Sequence, residues 1–170
     1  MGKWLVSAVA ALAAGMALAQ PSEFDRGMNT MWEVLWHQAG TPTRLVRWEQ
    51  PMRVRIHGVN VAAHKARTLQ ALREVAKEAG VPLTDVSDQA GAEANVDIEI
   101  VANDRMAEDQ PCETRLNYPT ETVIRSVTMQ MREGDARRCA FHEAMHVMGV
   151  RGHPEGETVL SYFSAPVDGL

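Results

Sequence analysis

The chain has little of what marks several common protein classes. Of its 170 residues two are cysteine and 5% are aromatic, and acidic residues exceed basic ones to give a formal net charge of −5. No basic stripe interleaved with aromatic residues is present, so we expect no nucleic-acid partner. Internal repeats are also absent from the sequence. The length fits one domain with a hydrophobic core and is too short for two comfortable ones.

The longest apolar run is too short to cross a membrane as a helix. It covers residues 5–18, whereas a spanning helix needs about 20 apolar residues. Lys3 precedes the run, and Ala17 and Ala19 match the A-x-A pattern of a cleavage site, so residues 1–19 are predicted to be a signal peptide. No cysteine follows the run, and we therefore expect no lipid anchor. The mature protein is predicted to be secreted or periplasmic after cleavage near Ala19.

The rest of the chain is predicted to consist of an N-terminal segment, residues 20–43, and one domain, residues 44–170. Residues 30–38 are a short helical candidate in which Met31 and Leu35 face the core. Glycine and proline surround this candidate on both sides. Two interpretations of the segment stay open: a helix that leads into the domain, or the remnant of a propeptide.

Alternation of apolar and polar residues predicts three strands. The apolar positions are Met52, Val54 and Ile56 in the first strand, Val96, Ile98 and Ile100 in the second, and Val123, Val127, Met129 and Met131 in the third. Val46 and Trp48 are predicted to extend the first strand backwards. The polar, turn-rich residues 81–95 and 103–119 are predicted to be loops.

A helix is predicted between the first two strands, over residues 61–79. Asn60 is the expected N-cap, and Gly80 is expected to end the helix. Its apolar stripe consists of Leu69, Leu72, Ala76 and Ala79. Because this helix separates two strands, a parallel β-α-β crossover is the economical arrangement.

The pattern richest in chemistry is His-Glu-x-x-His at residues 142–146. On a helix, His142 and His146 lie one above the other on a single face, so both imidazoles can reach one zinc ion. Phe141, Met145 and Met148 recur on another face of this helix and are expected to pack against the core. Glu143 is placed to act as general base toward a zinc-bound water.

A catalytic zinc site needs a third protein ligand. Gly149 can end the helix in a left-handed conformation and let the chain turn back, which makes His153 the expected ligand. The alternatives are that a carboxylate, Glu155 or Glu157, coordinates in its place, or that the site has only two ligands and is weak. His37, His57 and His64 have no partner at ligand spacing and are not expected to bind metal.

These residues resemble the metzincin metalloproteases, whose signature is H-E-x-x-H-x-x-G-x-x-H. The positions in register are His142, Glu143, His146 and Gly149. Gly152 stands where that family has its third histidine, and His153 follows one residue later. The resemblance implies an α+β fold in which a twisted mixed sheet carries a backing helix and an active-site helix.

The metzincin resemblance extends to a downstream turn that the family often writes S-x-M-x-Y. Here residues 158–162 have that shape, but Leu160 replaces the methionine that supports the metal site by packing. The resemblance implies that Tyr162 stabilises the oxyanion of the tetrahedral intermediate or acts as an extra ligand. The alternative for Tyr162 is a core aromatic residue.

Cys112 and Cys139 are the only cysteines, and in an exported chain an even pair predicts one disulfide. The alternative, that Cys112 is a metal ligand that keeps an enzyme latent, requires a spacing that metal sites rarely use. A weaker resemblance is to a family of secreted bacterial proteins of unknown function with a paired cysteine before a related helix motif.

The leading hypothesis is a secreted zinc-dependent endopeptidase. Zn2+ would be held by His142, His146 and His153, with Glu143 and Tyr162 as the catalytic residues. We expect a monomer that acts on a protein or peptide substrate and has no membrane anchor in its mature form. The alternative is a catalytically inactive secreted binding domain on the same type of scaffold.

Overall fold

The computed structural model describes residues 22–35, 45–118, 122–154 and 160. The elements in chain order are α1 (Glu23–Leu35), β1 (Arg47–Trp48), β2 (Met52–Gly58), α2 (Val61–Glu78), β3 (Leu83–Asp85), β4 (Val96–Val101), β5 (Cys112–Asn117), β6 (Val123–Ile124), β7 (Ser126–Arg132) and α3 (Ala136–Val147). A short 3-10 turn, Glu133–Asp135, leads into α3.

Five strands form one mixed sheet in the order β3-β2-β4-β7-β5. The first four run parallel to one another, and β5 pairs antiparallel with β7 at one edge. The predicted parallel crossover through α2 and the predicted mixed sheet are both confirmed. The helix α2 joins β2 to the parallel strand β3, since a tight hairpin cannot connect strands that run in the same direction.

The core lies between one face of this sheet and the two helices α2 and α3. Alternate residues of β2, β4 and β7 point into it, and Val54, Ile98 and Met131 are fully buried. Leu72 of α2 and Phe141 of α3 pack against them, as the apolar stripes predict. The intervening strand residues lie on the other face of the sheet, which is polar.

Two stretches predicted to be loops contain strands. β3 lies within residues 81–95 and pairs with β2, where Met52 is opposite Leu83. β5 lies within residues 103–119 and pairs with β7. Both strands are short and mostly polar, so sequence patterns do not reveal them. Side chains that face the same side still alternate along β5.

The predicted backward extension of the first strand is wrong. β1, which contains Trp48, pairs instead with β6 in a separate two-stranded parallel sheet, so Val123 also leaves the main sheet. The Trp48 indole N–H donates to the backbone carbonyl of Val147, at 2.9 Å, and both groups are buried. The small sheet therefore supports the C-terminal end of α3.

The bounds of α2 match the prediction closely, but two details differ. Asn60 has a φ of 46° and makes no side-chain cap, because its amide donates to the Glu133 carboxylate at 2.9 Å. Ala79 is exposed, since the helix has already ended at Glu78. The other members of its predicted stripe are buried.

The N-terminal helix α1 begins seven residues earlier than the pattern predicts. Met31 is 45% exposed and does not face the core, and Phe24 and Trp32 are also exposed on this helix. Residues 36–38 of the predicted helix lie outside the described residues. Over the described ranges, no helix combines the length and the apolar composition that a membrane crossing requires.

Both helices of the core end in the same way. At the end of α2 the Gly80 N–H donates to Lys77 and the Val81 N–H to Ala76; at the end of α3 the Gly149 N–H donates to His146 and the Val150 N–H to Met145. This is the Schellman motif, in which a residue of positive φ reverses the chain. Gly149 has in addition a close neighbour, since a β-carbon there would lie 2.5 Å from Cγ2 of Val46.

Replacing Gly149 with alanine should destabilise the protein more than replacing Gly80. Both have positive φ, +94° and +68°, so each substitution costs about 1–2 kcal/mol in backbone conformation. Only at Gly149 would the new methyl overlap a neighbour, Val46, which adds about 1–3 kcal/mol. Urea unfolding of both variants measures the difference, and equal losses would contradict it.

Candidate metal centre and its cleft

Three imidazoles converge at the C-terminal end of α3. His142 and His146 come from successive turns of this helix, and His153 comes from the segment that follows it. Each of the three Nε2 atoms lies 3.1 Å from the other two. Within the described residues, these three form the one group of histidine, cysteine or carboxylate side chains close enough to share an ion.

The triangle of nitrogens is close in size to the triangle that three imidazoles form around a zinc ion. Zinc is bound by imidazole at about 2.0–2.1 Å, so a tetrahedral ion spaces its nitrogens about 3.3–3.4 Å apart. The observed 3.1 Å is slightly shorter than that spacing. The rings of His142 and His153 are stacked at an interplanar angle of 24°, and His146 is turned edge-on to both. A small shift of the rings would accommodate the ion.

The turn after α3 brings His153 back despite the extra residue in the loop. Gly149 reverses the chain with a φ of +94°. The carbonyl of Val150 then accepts a hydrogen bond from Nδ1 of His146 at 2.6 Å. Because a carbonyl only accepts, His146 carries its proton on Nδ1, and Nε2 keeps the lone pair that a metal needs. The segment after α3, residues 149–153, is called the return loop. It orients the ring of His146 through the carbonyl of Val150 and also places His153 at the site.

Glu143 lies beside the triangle and is almost completely buried, with 2% of its surface exposed. Its Oε2 accepts a hydrogen bond from the Thr114 hydroxyl at 2.5 Å. Its Oε1 lies 3.9 Å from Nε2 of His142. The two oxygens of the carboxylate therefore have separate surroundings, one held by β5 and one next to the histidines.

Burial raises the pKa of Glu143 to about 7, against the opposing effect of the Thr114 hydrogen bond, and the nearby Glu113 carboxylate adds to the rise. Removing a carboxylate from water disfavours its charged form. A carboxyl group that titrates near neutral pH can both accept and release a proton under ordinary conditions.

The three histidines and Glu143 form the floor of a cleft of about 540 Å3. One wall is β5 and the residues before it, with Thr114 and Leu116 facing the cleft. The opposite wall is the return loop, which contributes Arg151. The Arg151 guanidinium stacks on the ring of Tyr118, 4.8 Å from its centroid.

A disulfide joins Cys112 of β5 to Cys139 of α3, with 6.1 Å between the Cα atoms. The predicted disulfide is confirmed, although Cys112 lies in the edge strand and not in a loop. The bond leaves no thiolate for the alternative in which Cys112 binds metal. It holds the wall of the cleft against the helix that carries the histidines.

Several predicted site residues can be placed and others cannot. Leu160 is buried, with 5% exposure. His57 pairs with Asp97 at 3.1 Å on the polar face of the sheet, away from the cleft. Tyr162 lies outside the described residues, as do two of the other candidates, Glu155 and Glu157, and the histidine at position 37.

The sequence patterns did not reveal Thr114 and Arg151. The signal for Thr114 was present as the alternation of Cys112, Thr114 and Leu116, which puts the three side chains on one side of a strand. Arg151 had no signal of its own, since its place in the cleft depends on the turn at Gly149.

A protein-family model described as "Protein of unknown function (DUF2927)" matches residues 16–151. The matched range includes His142, Glu143 and His146 and ends before His153. No curated protein and no solved structure matches the chain. The comparisons therefore supply a family of unknown function and no activity, and the family model does not test the metzincin resemblance.

In the metal-free protein, replacing Glu143 with glutamine should change how stability depends on pH. The folded pKa of about 7 exceeds the ordinary 4.5, so the stabilising contribution of the neutral carboxyl is complete below 4.5 and is lost as the pH rises through 7. Glutamine does not ionise, and the variant should therefore gain about 3 kcal/mol over wild type across that interval. Urea unfolding in the presence of a chelator measures this gain; parallel pH profiles would contradict it.

Proposed function

Since the chain belongs to the family of proteins of unknown function (DUF2927), whose description names no activity, we propose a function from the site itself: zinc-dependent hydrolysis of peptide bonds. The observation that carries the proposal is the triangle of Nε2 atoms, 3.1 Å on each side, next to a buried carboxylate. A set of three imidazole ligands is typical of zinc.

The ligands in this proposal are His142, His146 and His153. When bound, zinc lowers the pKa of a coordinated water to about 7 and polarises the carbonyl to be attacked. His146 is held in the required tautomer by the carbonyl of Val150. A neutral three-histidine set leaves the charge of the ion uncompensated, which favours a neighbouring anion such as Glu143.

Glu143 is proposed as the general base, and later as the acid that returns the proton to the leaving amine. Its Oε1 faces the histidines, and its burial excludes competing water. The metzincin-like scaffold is part of the same proposal, with Leu160 in place of the supporting methionine and Tyr162 as a candidate for oxyanion stabilisation.

The edge strand β5 is the proposed support for the substrate. Among the described strands it pairs with β7 alone, so no other described strand takes the backbone groups on its outer edge. An extended peptide binds such an edge through main-chain hydrogen bonds. A strand edge that binds an extended chain favours a protein or peptide substrate. The proposed enzyme is a monomer in a secreted or periplasmic location.

Zinc analysis and a cleavage assay test the proposal. Purified protein should contain one zinc ion per chain and cleave unfolded casein, and a chelator should abolish the cleavage. His146→Ala should lose both zinc and cleavage, whereas Glu143→Gln should keep zinc and lose cleavage by a factor of about 100 or more. His57→Ala, on the polar face of the sheet, should change neither.

Two outcomes would contradict this function. Cleavage that persists in Glu143→Gln would remove the carboxylate from the mechanism. Full zinc content with no cleavage by the wild-type protein would favour the binding domain that the sequence leaves open as the alternative.

Three carboxylates, those of Asp109, Glu113 and Glu143, and one guanidinium, that of Arg151, line the cleft, so an acidic substrate residue has one attractive partner there. Arg151 contributes the only lysine or arginine side chain among the described residues that line it. Its stacking on Tyr118 places it beyond Leu116, toward the end of β5. Consider a peptide that binds antiparallel to β5 with its scissile bond opposite Thr114. The residues N-terminal to that bond would then lie near Arg151.

Arg151→Gln should therefore reduce cleavage of peptides that carry aspartate or glutamate N-terminal to the scissile bond. Loss of a charge-assisted contact costs about 1.5–3 kcal/mol, which is roughly a 10- to 100-fold fall in kcat/KM. Peptides with glutamine in that position should be cut at nearly the wild-type rate. Arg73→Gln, exposed on α2, is the matched control, and equal losses on both peptides would contradict the assignment.

A further inference from the structure

The edge strand and the active helix are joined at two successive points. Cys112 of β5 is bonded to Cys139 of α3, and Thr114 of β5 is hydrogen-bonded to Glu143 of α3. Two residues along a strand advance about 6.6 Å and four along a helix about 6 Å, so the two elements stay in step between these links. The disulfide therefore holds β5 and α3 in the register that brings Thr114 to Glu143.

The hydrogen bond from Thr114 is the one that Glu143 accepts within the described part of the chain. It engages Oε2 and leaves Oε1 next to the histidines, 3.9 Å from Nε2 of His142. A glutamate side chain has several rotatable bonds, and without this contact its carboxylate has other orientations to adopt. Burial alone excludes water from Glu143 and does not select one of them.

We propose that Thr114 is a positioning residue, whose hydroxyl fixes the carboxylate of Glu143 so that one oxygen faces the three-histidine site. The proposal deepens the proposed hydrolysis and rests on it for the effect on rate. Its structural part concerns only Thr114 and Glu143.

The side chain at 114 suits this role for two physical reasons. A β-branched residue in a strand has few χ1 rotamers, so the hydroxyl stays where the backbone places it. A hydroxyl donates one proton and adds no charge to the cleft, whereas a lysine in its place would bind the carboxylate as an ion pair and compete with its proton transfer. The disulfide two residues earlier limits sliding of β5 along α3.

Three isosteric or conservative variants separate positioning from packing. Thr114→Val keeps the shape and removes the hydroxyl, Thr114→Ser keeps the hydroxyl, and Thr128→Val makes the isosteric change on the exposed face of the neighbouring strand β7. With a defined peptide in place of casein as the substrate, Thr114→Val should lower kcat about 10- to 100-fold and leave KM within a factor of about three. Thr114→Ser should recover most of kcat, and Thr128→Val should match wild type.

A second measurement does not depend on activity. The carboxyl carbon of Glu143, labelled with 13C and assigned by its absence in Glu143→Gln, should give one sharp NMR signal in wild-type and Thr114→Ser protein and a shifted or broadened signal in Thr114→Val. Zinc content should be alike in wild-type protein and in the Thr114 variants. Thr114→Ala serves in place of the valine variant if the latter does not fold.

Several results would overturn the proposal. They are an unchanged kcat in Thr114→Val, a serine variant as impaired as the valine variant, and loss of zinc in the valine variant, which would mark Thr114 as structural. If wild-type protein cleaves nothing, the proposed hydrolysis fails. An unaltered Glu143 NMR signal in Thr114→Val would by contrast reject the positioning role alone.

Discussion

The packing of α3 against α2, β5 and β7, with β1 holding its C-terminal end, is the constraint on which the site depends. The helix ends where Gly149 meets Val46, and the Trp48 indole donates to the last turn at Val147. These contacts fix both the axis of the helix and the point where the chain reverses. The three imidazoles meet because that point is fixed, since His153 follows the reversal by only four residues.

The same helix carries polar groups into a place where packing alone would favour apolar ones. His142 and Glu143 are 4% and 2% exposed. Burying such groups is costly unless they have partners, and here the partners are the other imidazoles and the Thr114 hydroxyl. Local departures of this kind from the apolar pattern are expected at functional sites, where stability is lowered in exchange for chemistry.

Sequence patterns were sufficient for the parts of the fold in which local periodicity and burial agree. Residues such as Val54, Ile98 and Met131 alternate cleanly and form the central strands. The edge strand was missed because its residues are mostly polar, and the partner of Trp48 was missed because no local pattern reports a contact with Val147. His142 and His146, four residues apart on a helix, were predictable. The approach of His153 depends on a turn whose geometry is set by packing between distant parts of the chain.

The contact between Trp48 and Val147 spans 99 residues of chain. Contacts so distant in sequence form late, because the entropy of closing a long loop must be overcome before they stabilise anything. During synthesis the first half of the domain therefore emerges before the three histidines and the strand β5 that line the cleft. In the proposed function, a site that needs residues 48 to 153 would be assembled only after all of them are available, so a shorter, partly folded chain would be inactive.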